Sequence, residues 1–436
     1  MYMKKMIVCG LVAASMFVTT AARAQSNTQS STFSPYSQYG LGILADQSQG
    51  FNRGMAGTGI GLRNGTLVNT LNPASYSAVD SLTMLFDAGM SLRFTNFKEG
   101  NTSVNASKGT FDYAVGLFRI RRHFGVSFGL LPFSDVGYNY TTSSYLNTTI
   151  GRITETFDGK GGLHQAFVGA GWNPVKPLSI GVNFAYLWGS YTRSATSSAT
   201  VTVNSLSKTY KASVSNYTLT LGMQWQQKIN RFNRVTLGAT WGLGHKLNAD
   251  PSCNIVNTNT STMVSDTTAF TIKNGLELPN SIGAGLAWEH KQKLTIAADF
   301  TLQQWGKVRY PEYDETWKTY RLLSGRLKDR TRVSVGADFV PDANNRRNYL
   351  KRVHYRIGAS YTTPYYKVNG QDGPEEMSVS AGLGLPLQNA WNNRSVLNVS
   401  AQWVRSSAKD LITDNTFRIS VGLTFNEKWF DKWRIN

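Results

Sequence analysis

Apolar and polar residues alternate along most of this chain with a period of two, the pattern of strands that bury or grease one face only. In the stretch 281–289, Ile282, Ala284, Leu286 and Trp288 fall on one face, and Ser281, Gly283, Gly285, Ala287 and Glu289 fall on the other. The stretches 294–302, 333–339, 397–403 and 417–425 alternate in the same way. The pattern predicts fourteen strands, near 82–97, 110–121, 123–140, 163–173, 178–192, 213–226, 234–247, 280–289, 293–305, 329–340, 353–366, 376–387, 394–406 and 416–426. Alternation continues through 148–158, 199–210 and 263–272, which are expected to form hairpins above the membrane.

A soluble sandwich would alternate too. These segments are longer than its usual five or six residues, and their connections keep a rhythm. Tight turns at Arg121-Arg122, 173–177, 227–233 and 290–292 are interleaved with long stretches at 98–109, 141–162, 191–212, 248–279 and 306–328. The connection 341–352 is the least tidy member of the short set. Short turns on one side and long loops on the other are the mark of an outer-membrane barrel with both termini in the periplasm. Lipid offers no partner to a free backbone group, so such a sheet must close on itself. The expected fold is an all-β, closed antiparallel transmembrane β-barrel over 82–436. Gly116, Gly129, Gly169, Gly222, Gly238, Gly336 and Gly358 lie within its strands, either as close-approach points or as filler of inward positions.

The beginning of the chain is different. Lys4 and Lys5 precede an apolar run, and Ala22-Arg23-Ala24 is a cleavage sequence, so 1–24 reads as a secretory signal peptide containing Cys9 as an apolar filler. Cys253 is then the one cysteine left, which excludes an internal disulfide or a cysteine-built zinc site. Residues 25–81 are rich in turns, aromatics and glycine, with Ser34-Pro35-Tyr36-Ser37-Gln38-Tyr39-Gly40, then Gly57-Thr58-Gly59-Ile60-Gly61, then Asn72-Pro73-Ala74. The glycine run lacks the strand–turn–helix setting and the Gly-Lys-Ser/Thr of a phosphate loop, so no nucleotide or other cofactor is expected. A segment of this kind suits a plug packed inside the barrel, with Gly57, Gly59, Asn72, Pro73 and Ala74 as its hatch residues.

This layout resembles the FadL-like (OmpP1/TodX) outer-membrane protein family. The resemblance rests on Gly57-Thr58-Gly59-Ile60-Gly61, on Asn72-Pro73-Ala74 and on the order of segments. The Ser34-Pro35-Tyr36 start and the Phe425-Asn426-Glu427-Lys428-Trp429-Phe430 end look like Bacteroidota members. It implies a fourteen-stranded barrel, an N-terminal hatch and passage of hydrophobic small molecules. Some members of the family serve instead in outer-membrane secretion or assembly complexes, and that is the alternative reading here.

Mean hydropathy is −0.28, which a barrel tolerates because only alternate residues meet lipid. The net charge of +19 suits contact with anionic lipid, lipopolysaccharide or an acidic partner, although basic residues in solvated loops would give it too. Export argues against nucleic acid. Histidines His123, His164, His245, His290 and His354 are scattered, with no metal spacing and no nucleophile elbow, so catalysis and metal binding are not expected. With the apolar face outward, Asp87, Arg93, Glu289, Asp299, Arg332, Asp338, Arg356, Gln402 and Arg418 point into the lumen. Buried charges need partners, so bracing of barrel and plug is preferred to a polar conduit. The loop 306–328 sets Tyr310, Tyr313, Trp317 and Tyr320 among cations, as a lid or docking surface would.

Overall fold

The computed structural model describes residues 34–81, 83–147, 151–199, 204–345, 347–387 and 395–427. The expected signal peptide and the Lys428-Trp429-Phe430 end lie outside these residues. Fourteen antiparallel strands form the wall: β1 (Met84–Glu99), β2 (Thr102–Arg121), β3 (Phe124–Asn147), β4 (Gly151–Val175), β5 (Leu178–Ala199), β6 (Asn204–Lys228), β7 (Asn233–Gly242), β8 (Ser281–His290), β9 (Leu294–Gln303), β10 (Arg330–Phe339), β11 (His354–Thr362), β12 (Glu375–Leu387), β13 (Ser395–Ser407) and β14 (Thr413–Glu427). β1 and β14 pair from Met84↔Glu427 to Lys98↔Thr413, which closes the barrel.

The outer face explains why the chain closes this way. Along β6, Leu221, Met223 and Trp225 are exposed, while the intervening Gly222 and Gln224 are buried. Along β8, Ile282 and Leu286 are exposed while Gly283 and Ala287 are buried. Exposed apolar rows on strand after strand are stable only against lipid, and a roughly 25 Å band of them is what a spanning barrel presents.

The expected fourteen strands are all present. Some bounds differ. The stretch 98–109, expected as a loose loop, is mostly strand, with β1 and β2 paired out to Glu99↔Thr102. The segment 234–247 stops being strand at Gly242. β3 to β6 run to 24, 25, 22 and 25 residues, far beyond the lipid band, so 151–158 and 204–210 are upward extensions of β4 and β6. The hairpin Ser252–Asn259 and Val264–Thr271 adds to the extended end of β6, where Lys211 faces Ser252. Another hairpin, Tyr310–Asp314 with Thr319–Leu323, organises the loop between β9 and β10. Most apolar burial collects at this end, where Leu163, Leu187, Val214, Leu247, Leu276, Trp305 and Tyr365 share one core with Tyr36 and Leu41 of the N-terminal segment.

Candidate functional site

The inward faces carry glycine, serine, threonine and a few charges, and residues 34–81 are laid against them. Turn chemistry shapes this segment. The 3-10 turn Pro35–Gln38 is capped by Ser34, whose hydroxyl accepts from the Tyr36 amide at 3.2 Å. The 3-10 turn Pro73–Ala78 is capped by Asn72, whose side-chain oxygen accepts from the Ala74 amide at 3.1 Å. Pro73 fits there because that position needs no amide donor. A single helical turn, Gly50–Arg53, lies between them.

From Gly50 to Tyr76 the segment makes a circuit of the lumen. Gly50 lies on Gly422 of β14, Gly54 on Gly382 of β12, and Met55 on Gly358 of β11 and Gly336 of β10. Ile60 and Gly61 then lie on Gly285 of β8 and Gly238 of β7. Asn72 and Pro73 follow on Gly222 of β6, Gly181 of β5 and Gly171 of β4, and Tyr76 on Gly125 of β3. A Cβ at any of these wall positions would approach the segment within 3.4 Å, and at most of them within 3.0 Å. Gly125, Gly171, Gly181 and Gly222 face one another in register, so four strands share one flat track. Gly116 and Gly129 are different, because they face Phe128 and Val115 of the wall itself.

Polar contacts fix the circuit. Asp299 accepts from the amides of Gly59 at 2.5 Å and Ile60 at 2.8 Å. Gln224 donates to the carbonyls of Ile60 and Leu62, both at 3.0 Å. Asn72 donates to Ile60 O at 2.9 Å and to Met223 O at 3.1 Å. Arg332 donates to Ala56 O at 2.9 Å, and a side chain at Gly57, whose φ is +76°, would strike that guanidinium. Gly59 is equally confined, between Asn52, Leu71 and Asn69. The phenol of Tyr113 accepts from the Gly50 amide at 2.7 Å and donates to Asp87 at 3.0 Å, and Thr424 donates to the same carboxylate at 3.1 Å. Arg53 meets Asp112 at 2.8 Å. Asp46 lies near Arg332, Arg53 and Arg418; burial works against its charge, but the three guanidiniums hold its carboxyl well below the usual range.

Not every inward charge makes a polar contact with the segment, although the Arg356 stem packs on Gly54. Arg356 binds Asp338 at 3.1 Å and Asn398 at 2.6 Å, and His354 joins the same carboxylate at 2.9 Å. Glu289 pairs with Arg234 at 3.4 Å. Arg93 and Gln402 also face inward, the latter donating to Ser378 at 3.1 Å.

Among the described residues, the wall has a seam between β2 and β3. β2 and β3 pair only from Arg121↔Phe124 up to Ala114↔Leu130, and above that β3 stays with β4 while β2 stays with β1. The free edge of β3 is taken by the N-terminal segment, with Ile43 and Leu44 opposite Asp135 and Ser134. Ala45 donates to Phe133 O at 2.9 Å and Ser34 to Gly137 O at 3.2 Å. A Lys108–Asp135 ion pair of 2.5 Å spans the seam.

Above the circuit lies a cavity of about 430 Å³ lined by Tyr39, Tyr138, Tyr191, Arg193, Tyr310 and Tyr320 among others. Arg193 is buried there, donating to Tyr310 Oη at 2.8 Å and to Gly40 O at 2.6 Å, with its guanidinium 4.5 Å from the Tyr191 ring centre. A second cavity of about 310 Å³, lined by Leu71, Leu131, Phe167, Leu219 and Arg332, sits beside residues 44–47. The four loop aromatics divide: Tyr310 and Tyr320 turn into the upper cavity, Tyr313 packs on Phe270 at 5.9 Å, and Trp317 stands out at the hairpin tip with 68% exposure. Sequence reasoning passed over Arg53, Asp112, Tyr113 and Arg193. Arg193 does sit on the inward parity of β5, a signal that could have found it, whereas Asp112 lies at a register shift of β2 that alternation does not reveal, and nothing in the linear pattern names their partners.

The fold matches known channels closely in layout and weakly in sequence. A CymD monoaromatic hydrocarbon channel superposes with a TM-score of 0.58 at 15% identity, covering 89% of this chain and 98% of the channel. The Pseudomonas putida toluene transporter TodX gives 0.57 at 14%, covering 87% and 98%. A Pseudomonas aeruginosa FadL homologue gives 0.58 at 11%, covering 88% and 98%. At these identities the likeness establishes the FadL-type barrel fold. No curated protein matches in sequence. The family model described as BamG matches residues 3–436, and this FadL-type barrel therefore belongs to the BamG family.

Proposed function

We propose that this chain is a sealed, non-enzymatic structural subunit of an outer-membrane protein secretion or assembly complex, with its short turns and termini in the periplasm. The observation that carries this reading is the circuit of residues 50–76, whose backbone is seated on glycines of ten strands. A segment fitted so closely, and tied by Asp299, Gln224 and Arg332, acts as a plug that closes the axial path. What remains reachable is the outside: the lipid face, the turns and the tall sheet with its exposed Trp317. The BamG match leans the same way. The test is gentle detergent extraction of the full chain from its own outer membrane, followed by cross-linking and mass spectrometry. A stoichiometric protein partner is expected. A chain that migrates alone with a lipid-like ligand would overturn the reading.

A second reading, passage of hydrophobic small molecules, is favoured by two specific features. The upper cavity is lined by aromatic rings, and at the β2–β3 seam the wall is held by Ile43, Leu44 and the Lys108–Asp135 pair instead of a β2–β3 ladder, so a side path needs only those contacts to part. The named relatives include toluene transporters and a monoaromatic hydrocarbon channel. Uptake of toluene by liposomes carrying the full chain, lost on bridging the seam with a Lys108→Cys/Asp135→Cys pair, would support this second reading.

A further inference from the structure

The two ends of the barrel differ in their carboxylates. At the long-loop end, carboxylates stand among the cations and hold several of them: Lys108 with Asp135, Lys208 with Glu315, Arg321 with Asp314, Arg326 with Glu312 and Lys328 with Asp372. In the short turns the cations have no such partners, and the nearest pair, Arg234 with Glu289, lies on the strands. Arg121 and Arg122 lie exposed in the β2–β3 turn, Lys176 in β4–β5, Arg231 in β6–β7, Lys291 in β8–β9 and Lys351 in β10–β11. No ion pair between described residues involves them. The described residues of these five turns include one carboxylate, Asp342, and it is occupied by its own turn through Asn344 and Asn345.

Four of these cations also have an exposed apolar neighbour at the end of the wall: Ile120 beside Arg121, Val175 beside Lys176, Phe232 beside Arg231, Leu350 beside Lys351. Phe232 is flanked by two cations, the Arg231 guanidinium 4.5 Å and the Lys291 ammonium 5.0 Å from its ring centre. A ring tip at the membrane boundary with cations reaching just past it is the arrangement that meets a lipid headgroup at phosphate level. The cations occupy five successive short turns rather than one flank. A single protein would be read by a patch on one side, whereas an occupant that surrounds the barrel fits a ring. We propose that the short-turn rim is a binding belt for the phosphates of anionic phospholipids.

The belt goes beyond the sealed-subunit reading and requires only the barrel. The full chain is placed in nanodiscs of phosphatidylcholine containing a minor fraction of phosphatidylglycerol, and the lipids it retains are identified by native mass spectrometry. Phosphatidylglycerol is expected to be enriched by about five-fold or more over the disc composition, falling as salt is raised. In a K176Q/R231Q/K291Q/K351Q variant the enrichment should fall to the disc composition. That variant should keep the heat-modifiable gel migration of a closed barrel. A control carrying K318Q and R321Q, at the opposite end, should keep the enrichment. Absence of enrichment in the unaltered chain, or unchanged enrichment in the rim variant, overturns the proposal. So does a rim variant that loses a co-purified acidic protein while retaining phosphatidylglycerol. The discs carry the same lipids on both faces, so the outcome does not depend on which way the barrel inserts or on whether a protein partner exists.

Discussion

The guanidinium of Arg53 lies 2.8 Å from the carboxylate of Asp112, and 5% and 4% of the two side chains are exposed. One belongs to the helical turn of the N-terminal segment, the proposed plug, and the other to β2, close to where its pairing with β3 ends. Removing one partner of a buried pair leaves the other charge without compensation, at a cost of about 3–5 kcal/mol. R53L and D112L are therefore each expected to lower the heat-modifiability midpoint and to admit protease to 40–60. The double variant R53L/D112L should recover part of that loss. Single variants as stable as the parent would show that the pair does not hold the plug.

Gly358 and Gly222 are contact points where the wall has no Cβ to spare. Valine at either forces the plug or the strand to move, at about 1–3 kcal/mol or more. The expected readout is a rise in single-channel openings in planar bilayers, with barrel closure retained. Ala284 is on the lipid face of the facing row of β8, and A284V should leave both properties unchanged.

If residues 34–81 are the proposed plug, Asp46 gives their docking a pH dependence of definite sign. Its folded-state affinity for protons lies below the ordinary value of 3.8, so its stabilising contribution is complete above that value. The contribution is lost as pH falls through the lower folded value. Plug release, followed by channel openings, should therefore be absent at pH 5 and above and should increase as pH is taken well below the ordinary carboxylate range. D46N should be looser at neutral pH, and its remaining pH dependence should be weaker. An identical acid profile for D46N would remove Asp46 from the account.

Cys253 is fully buried in the hairpin on β6, and burial pushes its thiol up to about 11. Reaction needs the thiolate and access, and both are withheld. A maleimide should label the folded chain at least ten times more slowly than the unfolded chain. Tyr320 packs at a tilt against Tyr210, the phenol beside this thiol, so Y320A should speed labelling without opening the barrel. Rapid labelling of the parent chain would mean that the outer core is open.

The strands were legible because lipid acts on every second residue, and rows such as Leu221, Met223 and Trp225 announce their face without reference to any partner. Loop length then gave the order of short and long ends. The plug's path was not legible. It is written in backbone resting on glycine, and Gly222 or Gly336 reads the same whether it meets Asn72, Met55 or empty space. Asp299 and Arg332 were recognisable as inward charges, but their partners are main-chain groups of Gly59, Ile60 and Ala56, which carry no residue signature. The upward extension of β3 to β6 was legible in part: alternation marked 148–158 and 199–210 as hairpins above the membrane, but the Ser and Thr between, which suit a wet strand and a wet loop equally, hid their continuity with the wall.

The pairing of Ile43 and Leu44 with Asp135 and Ser134 has a bearing on how the molecule comes into being. Part of the edge of β3 has no partner among the other wall strands over those residues, so its backbone groups wait for the amino-terminal end of the chain. That stretch is made before β3, so the edge on which it is laid exists only once Asp135 and Ser134 have been made. Order of synthesis and order of pairing thus run opposite ways: residues made before the wall complete an edge made after them, and a chain without them would leave that part of the β3 edge unpaired.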